Sequence, residues 1–135
     1  MDLDKAIAIS ATGLAAQSAR LRIVAENLAN QHSTSSEPGG DPYRRKTISF
    51  SDQLDQKVGT DLVQVQRIGE DMSDFPTRYD PSNPAADASG YVKVPNVNAL
   101  TEMMDMRDAE RTYAANLSVM QTTRNMLDRT IDLLK

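Results

Sequence analysis

Residues 3–30 read LDKAIAISATGLAAQSARLRIVAENLAN, and within them Ile7, Ala11, Leu14, Ser18, Leu21, Ala25 and Leu28 recur at steps of four and three. That spacing keeps one stripe on one face of an α-helix. Residues 98–134 repeat the habit through Met103, Met106, Glu110, Tyr113, Leu117, Met120, Arg124, Leu127, Ile131 and Leu134, with Glu110 and Arg124 as charged interruptions. Neither stretch contains proline: all six prolines lie between Pro38 and Pro95. The pattern predicts an α+β protein with two long terminal α-helices pairing as an antiparallel coiled coil. Small residues of one helix would receive the bulkier Met, Tyr and Leu of the other as knobs entering holes. Between them lies a small β-containing, loop-rich middle domain, so the chain divides into segments 1–30, 31–95 and 96–135.

Each helix carries a second stripe about two residues round from the first: Ile9, Ala16, Ala19 and Ile23 on one, Ala115, Val119, Thr122, Met126 and Leu133 on the other. A helical hairpin needs one seam per helix. Either the middle segment folds back over the second stripe or other subunits cover it. If neighbours cover it, the termini of a free monomer are expected to be weakly ordered.

Only six aromatic residues and a mean hydropathy of −0.50 argue against a large compact core. Formal charge is zero over 1–30, −3 over 31–95 and −1 over 96–135, which sum to −4. So even a distribution gives no footprint for nucleic acid or an anionic membrane. The absence of cysteine removes disulfides, thiolate chemistry and cysteine metal sites. The acidic start Met1-Asp2-Leu3-Asp4, followed by amphipathic sequence, does not read as a cleavable secretory signal. No run approaches the eighteen or so apolar residues of a membrane span.

In the middle segment, Pro38-Gly39-Gly40 breaks the chain after the first helix. The alternation in Thr47-Ile48-Ser49-Phe50 and in residues 62–68 predicts half-buried strands, and Tyr91-Val92-Lys93-Val94 a third. Gly69-Glu70-Asp71 reads as a turn, and Phe75 to Pro84, punctuated by proline, as irregular chain.

Candidate chemistry is sparse. His32, the single histidine, has no base partner or second metal ligand nearby in sequence, and Glu70, Asp71 and Asp74 lack calcium-type spacing. The loop Pro38-Gly39-Gly40-Asp41 lacks the spacing and the Lys-Ser/Thr of a phosphate loop. No catalytic residue, metal ligand or cofactor is predicted. Arg44-Arg45-Lys46 is the one basic cluster, suited to phosphate, cell-wall carboxylates or, as favoured here, acidic side chains of another subunit. Gly13, costly inside a helix, implies close approach of a neighbouring helix. Asn30 is placed as a cap at the helix end, and Asn27 as a contact across a subunit boundary.

The stretch Ala25-Glu26-Asn27-Leu28-Ala29-Asn30, preceded by Ala11-Thr12-Gly13-Leu14 and followed by Tyr43-Arg44-Arg45-Lys46, resembles the N-terminal signature of bacterial flagellar rod and hook proteins. Asn96-Val97-Asn98, Glu102 to Met106, Ala109, Arg111, Tyr113, Ala115-Asn116 and Met126 resemble the C-terminal signature of the same family. The middle, from Pro38 to Lys46 and from Tyr79-Asp80-Pro81 through Asn83 to Asp87 and Gly90-Tyr91-Val92, is similar to its proximal-rod branch. Thr12 stands where the family usually has Ser, and Gln31-His32 departs from its usual sequence after Asn30.

The resemblance implies a structural part of the flagellar basal body with no enzymatic activity. Such a part is exported through the flagellar type III apparatus without a cleaved signal and assembled in the periplasm. The terminal helices would form an inner tubular core, with the middle piece farther out. Implied partners are further copies in a helical array, other rod proteins and the junction to the membrane ring. The residues expected at subunit interfaces are Ile7, Ile9, Gly13, Leu14, Leu21, Ile23, Asn27, Leu28 and Asn30 on the first helix and the basic Arg44, Arg45 and Lys46. On the second helix they are Met103, Met106, Tyr113, Asn116, Leu117, Met120, Met126, Leu127, Ile131 and Leu134. A non-flagellar helical adaptor or secretion-needle component with a β insert shares the heptads but not both signatures. An enzyme or phosphate-binding module, resting on the glycine loop and basic triplet, is more distant.

Overall fold

The computed structural model describes residues 3–134, so Met1, Asp2 and Lys135, at the outer ends of the first and third segments, lie outside the described residues. The order of elements is α1 (Leu3–Ala29), β1 (Lys46–Asp55), β2 (Thr60–Glu70), β3 (Thr77–Tyr79), β4 (Tyr91–Lys93) and α2 (Ala99–Leu133). The predicted α+β architecture is thus present, with two terminal helices packed against each other and two small sheets between them in sequence.

Local chemistry sets the helix ends. At the end of α1 the Asn30 backbone N–H donates to the Glu26 carbonyl, and its side-chain Nδ2 donates to the same oxygen at 2.8 Å. A free carbonyl of the last turn is thereby satisfied. At the start of α2 the Asn98 Oδ1 accepts from the backbone of Leu100 at 3.0 Å and Thr101 at 3.2 Å, a side-chain N-cap.

The chain forms two compact units. One comprises residues 1–21, 48–67 and 107–135; the other comprises 22–47 and 68–106. In the first unit α1 and α2 pair antiparallel. A Cβ placed on Gly13 would lie 2.8 Å from Asn116 Nδ2, and Arg20 donates to Asp108 at 3.2 Å. Gly13 therefore earns its place through a helix of its own chain. The terminal helices pair within a single chain, where small residues such as Ala16 and Ala109 are buried and let the backbones close together.

The seam on α2 keeps Met106, Met120 and Leu127 of the expected stripe, half-buried, but its alternate positions lie one residue earlier than expected. Glu102, Ala109 and Thr123 are buried and Asn116 is half-buried, at intervals of seven. Met103, Glu110, Leu117 and Arg124, each one position later, are exposed. The two charged interruptions therefore face water and do not break the seam. Small and polar side chains at these positions alternate with the half-buried Met106, Met120 and Leu127.

β1 and β2 form a hairpin closed by residues 56–59. Asp55 Oδ1 accepts from the backbone of Lys57 and Val58, and Gly59 takes the left-handed φ of +68° that glycine tolerates. β2 continues through Glu70, past the turn expected at Gly69.

In the second unit β3 pairs antiparallel with β4, with Thr77 opposite Lys93 and Tyr79 opposite Tyr91. Phe75–Pro84 was expected to be irregular, yet β3 lies inside it. Pro76 and Pro81 fall just outside the strand, where a missing N–H removes no ladder bond. Gly90, with φ +83°, leaves room for the Tyr79 ring, which meets Tyr91 edge-on at 5.3 Å. Val92 and Ala85 are fully enclosed.

The Gly13–Asn116 contact predicts a change of sign. In an Asn116→Ala background, Gly13→Ala should stabilise the protein by up to ~1 kcal/mol through helix propensity. In the native background it should not, because the methyl meets the Asn116 amide. Urea unfolding of the four proteins checks this; an equal gain in both backgrounds would dismiss the close approach.

Candidate assembly surfaces and the polar clasp beside them

The second unit is organised around a buried carboxylate. Glu102 is 0% exposed and receives the Asn27 side-chain Nδ2 at 3.1 Å and the Arg45 Nε as an ion pair. Asn27, 1% exposed, uses every polar atom of its side chain. Nδ2 also donates to the Lys46 carbonyl at 2.9 Å, while Oδ1 accepts from the Tyr43 hydroxyl at 2.8 Å and the Lys46 N–H at 2.9 Å. Removing one member of such a buried pair leaves the other charge stranded.

The clasp extends outward through the residues just before β1. The Arg45 N–H donates to Asn96 Oδ1 at 2.8 Å, and Asn96 Nδ2 donates to the Asp71 carbonyl at 2.9 Å. Arg44 donates to the Asp71 and Ser73 carbonyls, both at 3.0 Å, with its guanidinium 4.1 Å above the Phe75 ring. Lys46 pairs with Glu26. The basic triplet therefore finds its acidic partners, Glu26, Asp71 and Glu102, within its own chain.

The titrations follow this geometry. Burial raises the Tyr43 phenol to about 12, helped by the negative charges of Glu26, Glu102 and Glu70. The Asp71 carboxyl is held below its usual range by the backbone N–H and side chain of Ser73, with smaller help from Arg45 and Arg44. A hydrogen bond from Lys93 lowers Asp41 in the same way.

The glycine loop is committed to turning the chain. The Gly39 N–H donates to the Ala85 carbonyl and the Gly40 N–H to the Glu37 carbonyl, so neither points at a ligand. His32 is exposed, and among the described residues no three His, Cys, Asp or Glu side chains gather to hold a metal.

The residues expected at interfaces separate into three groups. Ile9, Met103, Tyr113, Leu117, Met126, Ile131 and Leu134 are exposed in the single chain. Ile7, Gly13, Leu14, Leu21, Leu28, Asn30, Met106, Asn116, Met120, Leu127 and the Arg44 to Lys46 triplet are half-buried. Ile23 and Asn27 are buried, Asn27 inside the clasp, which withdraws it from any surface. Tyr43, Asp71, Asn96 and Glu102 were missed as a group; Glu102 stands seven residues before Ala109, a heptad signal masked by its charge. Met104, at 65% exposure, was missed beside Met103.

On α2, a 35-residue helix, Met103, Tyr113, Leu117 and Ile131 are exposed along one stripe that Glu110 and Arg124 interrupt. Monomeric proteins rarely expose large apolar patches. Residues 88–133 match the family described as Flagellar basal body rod FlgEFG protein C-terminal. The whole chain aligns with flagellar basal-body rod protein FlgC of Agrobacterium fabrum at 55% identity, covering 98% of this chain and 96% of that one. It is 42% identical to FlgC of Salmonella typhimurium over 93% of this chain and 92% of the relative, and 39% identical to FlgC of Bacillus subtilis over 94% and 95%. The chain belongs to the FlgC family of flagellar basal-body rod proteins. Membership in the FlgC family disfavours the non-flagellar adaptor and needle readings. No helix among the described residues is long and apolar enough to cross a membrane.

Two measurements probe the clasp. Glu102→Gln should cost roughly 2–4 kcal/mol in urea unfolding, because Arg45 loses its counter-charge while remaining largely enclosed; a cost near zero would show that the pair is dispensable. Tyr43 has a folded value above the ordinary 10.0, so its contribution is intact below pH 10 and is lost as pH rises toward about 12. Tyr43→Phe should therefore lower stability by about 1 kcal/mol at pH 7 and flatten the decline between pH 10 and 12. An unchanged alkaline profile would remove Tyr43 as its source.

Proposed function

We propose that this chain is a structural subunit of the proximal rod of the flagellar basal body, without catalytic activity, joining further copies and other rod proteins in a helical tube. The observation that carries this reading is the row of Met103, Tyr113, Leu117 and Ile131 on α2, left exposed outside the helix pair. Covering a half-exposed Met, Leu or Ile is worth about 1 kcal/mol each, so several such contacts repeated between neighbours sum to a stable array. Surfaces that differ on the two sides of a contact generate open helical assemblies instead of closed dimers.

In this reading the terminal segments 1–30 and 96–135 form the rod core, and segment 31–95 lies farther out and meets the rod-to-ring junction. The subunit reaches the periplasm through the type III export apparatus. The absence of cysteine suits a chain that is exported unfolded and needs no oxidative step afterwards.

Deleting the gene should abolish motility and rods in negative-stain images of basal bodies, and the native chain should restore both. Leu117→Asp, at a surface position of α2, should keep native helicity by circular dichroism yet fail to restore motility. Normal rods in the deletion strain would end the proposal, and full rescue by Leu117→Asp would remove the row as its basis.

A further inference from the structure

In the first unit α2 carries a line of exposed residues at intervals of seven, Glu110, Leu117, Arg124 and Ile131, with Leu117 38% and Ile131 45% exposed. Residues seven apart stand one above another on a helix, so the line runs along its axis. It is symmetric about Leu117 and antisymmetric in charge. Glu110 stands seven residues before Leu117 and Arg124 seven after it, and in the sequence Met103 balances Ile131 at twice that distance. One step round the helix, Arg107 and Asp128 are also exposed and repeat the opposition of charge about nearly the same centre. None of Arg107, Glu110, Arg124 and Asp128 has an ion-pair partner among the described residues.

A pattern that reverses sign about its own midpoint is complementary to itself when turned end over end. We propose that this face of α2 binds the same face of a second copy of the chain, antiparallel, with the two Leu117 side chains meeting on the twofold axis. Glu110 then faces the partner's Arg124, Arg107 the partner's Asp128 and Ile131 the partner's Met103, and the symmetry doubles each pair. A parallel pairing in register would set Glu110 on Glu110 and Arg124 on Arg124, so charge selects the antiparallel one.

Both copies use one surface, so the pair is closed and does not propagate. Copies in a helical array all run the same way along its axis, so an antiparallel pair is a form of the subunit outside the rod. It covers Leu117, which the rod-subunit reading leaves for contacts between neighbours, until assembly opens it. The pairing stands on the charge pattern of α2 and goes beyond that reading. Exposed ion pairs each add little, so the pair is readily reversible. Such a contact shields the face without locking it.

Sedimentation of the purified full chain between about 1 and 100 μM should show monomer passing to dimer and no further. Glu110→Arg and Arg124→Glu each set like charges face to face and should weaken association at least about tenfold, with helicity by circular dichroism unchanged. The double variant Glu110→Arg/Arg124→Glu should regain native association. An equimolar mixture of the two single variants should pair as well, because the arginines of one meet the glutamates of the other. Leu117→Cys, in a chain with no native cysteine, should oxidise to a linked dimer at least about tenfold faster than Thr122→Cys, on another side of the helix. Monomer at every concentration, association indifferent to both charge reversals, a double variant no better than the single ones, or higher multimers in place of a dimer would each overturn the pairing and leave the rod reading intact. Intact rods without the gene would overturn the rod reading and leave the pairing intact.

Discussion

A polar group on the facing sides of these helices has to be satisfied from inside the chain, and the structure is arranged around that requirement. Glu102 is the extreme case. A carboxylate with no exposure costs several kcal/mol to desolvate, and the attraction of Arg45 offsets this only if the remaining lone pairs are also bonded. Asn27 completes the shell, and its own second oxygen valence and second N–H in turn require Tyr43 and the Lys46 backbone. One buried charge thus specifies where four residues from two separate stretches of sequence must stand. A set of fully used donors and acceptors admits few alternative arrangements, whereas aliphatic packing would tolerate sliding.

The same constraint explains the distribution of apolar residues. Where Gly13 admits Asn116, and Ala16 and Ala109 are enclosed, the helices are too close for Met or Leu. Met103 and Leu117 on α2 stand exposed one position beyond the more enclosed Glu102 and Asn116, while Met106, Met120 and Leu127 are half-buried. Internal cohesion then comes from small-residue contact and hydrogen bonding together with partial burial of these larger side chains.

Much of this was legible in the sequence. Both helices, their ends at Asn30 and Asn98, three of the four strands and the α+β class follow from periodicity and proline placement. The heptad spacing on α2 holds, and Met106, Met120 and Leu127 stand half-buried at the seam; the alternate members Met103, Glu110, Leu117 and Arg124 are exposed, because the more enclosed positions beside them are Glu102, Ala109, Asn116 and Thr123. The charges at Glu110 and Arg124 were the warning: a seam broken twice by charge is better read as a surface. β3 was hidden by its flanking prolines, although a three-residue strand between Pro76 and Pro81 violates no hydrogen-bonding rule.

The basic triplet shows why a site built from distant residues resists reading in one dimension. Arg44, Arg45 and Lys46 are consecutive, and their clustering suggested a single surface reaching toward another molecule. Consecutive residues of extended chain point to opposite faces, which sends Arg45 away from its two neighbours. Arg44 turns to the 71–75 loop and its Phe75 ring, Arg45 to the buried Glu102, and Lys46 to Glu26. Each neutralises or caps a different element, which is how a short charged run can hold a loop-rich segment against two helix ends with only a handful of buried aliphatic side chains. What the sequence presented as one electrostatic patch is, in the fold, three separate internal ties.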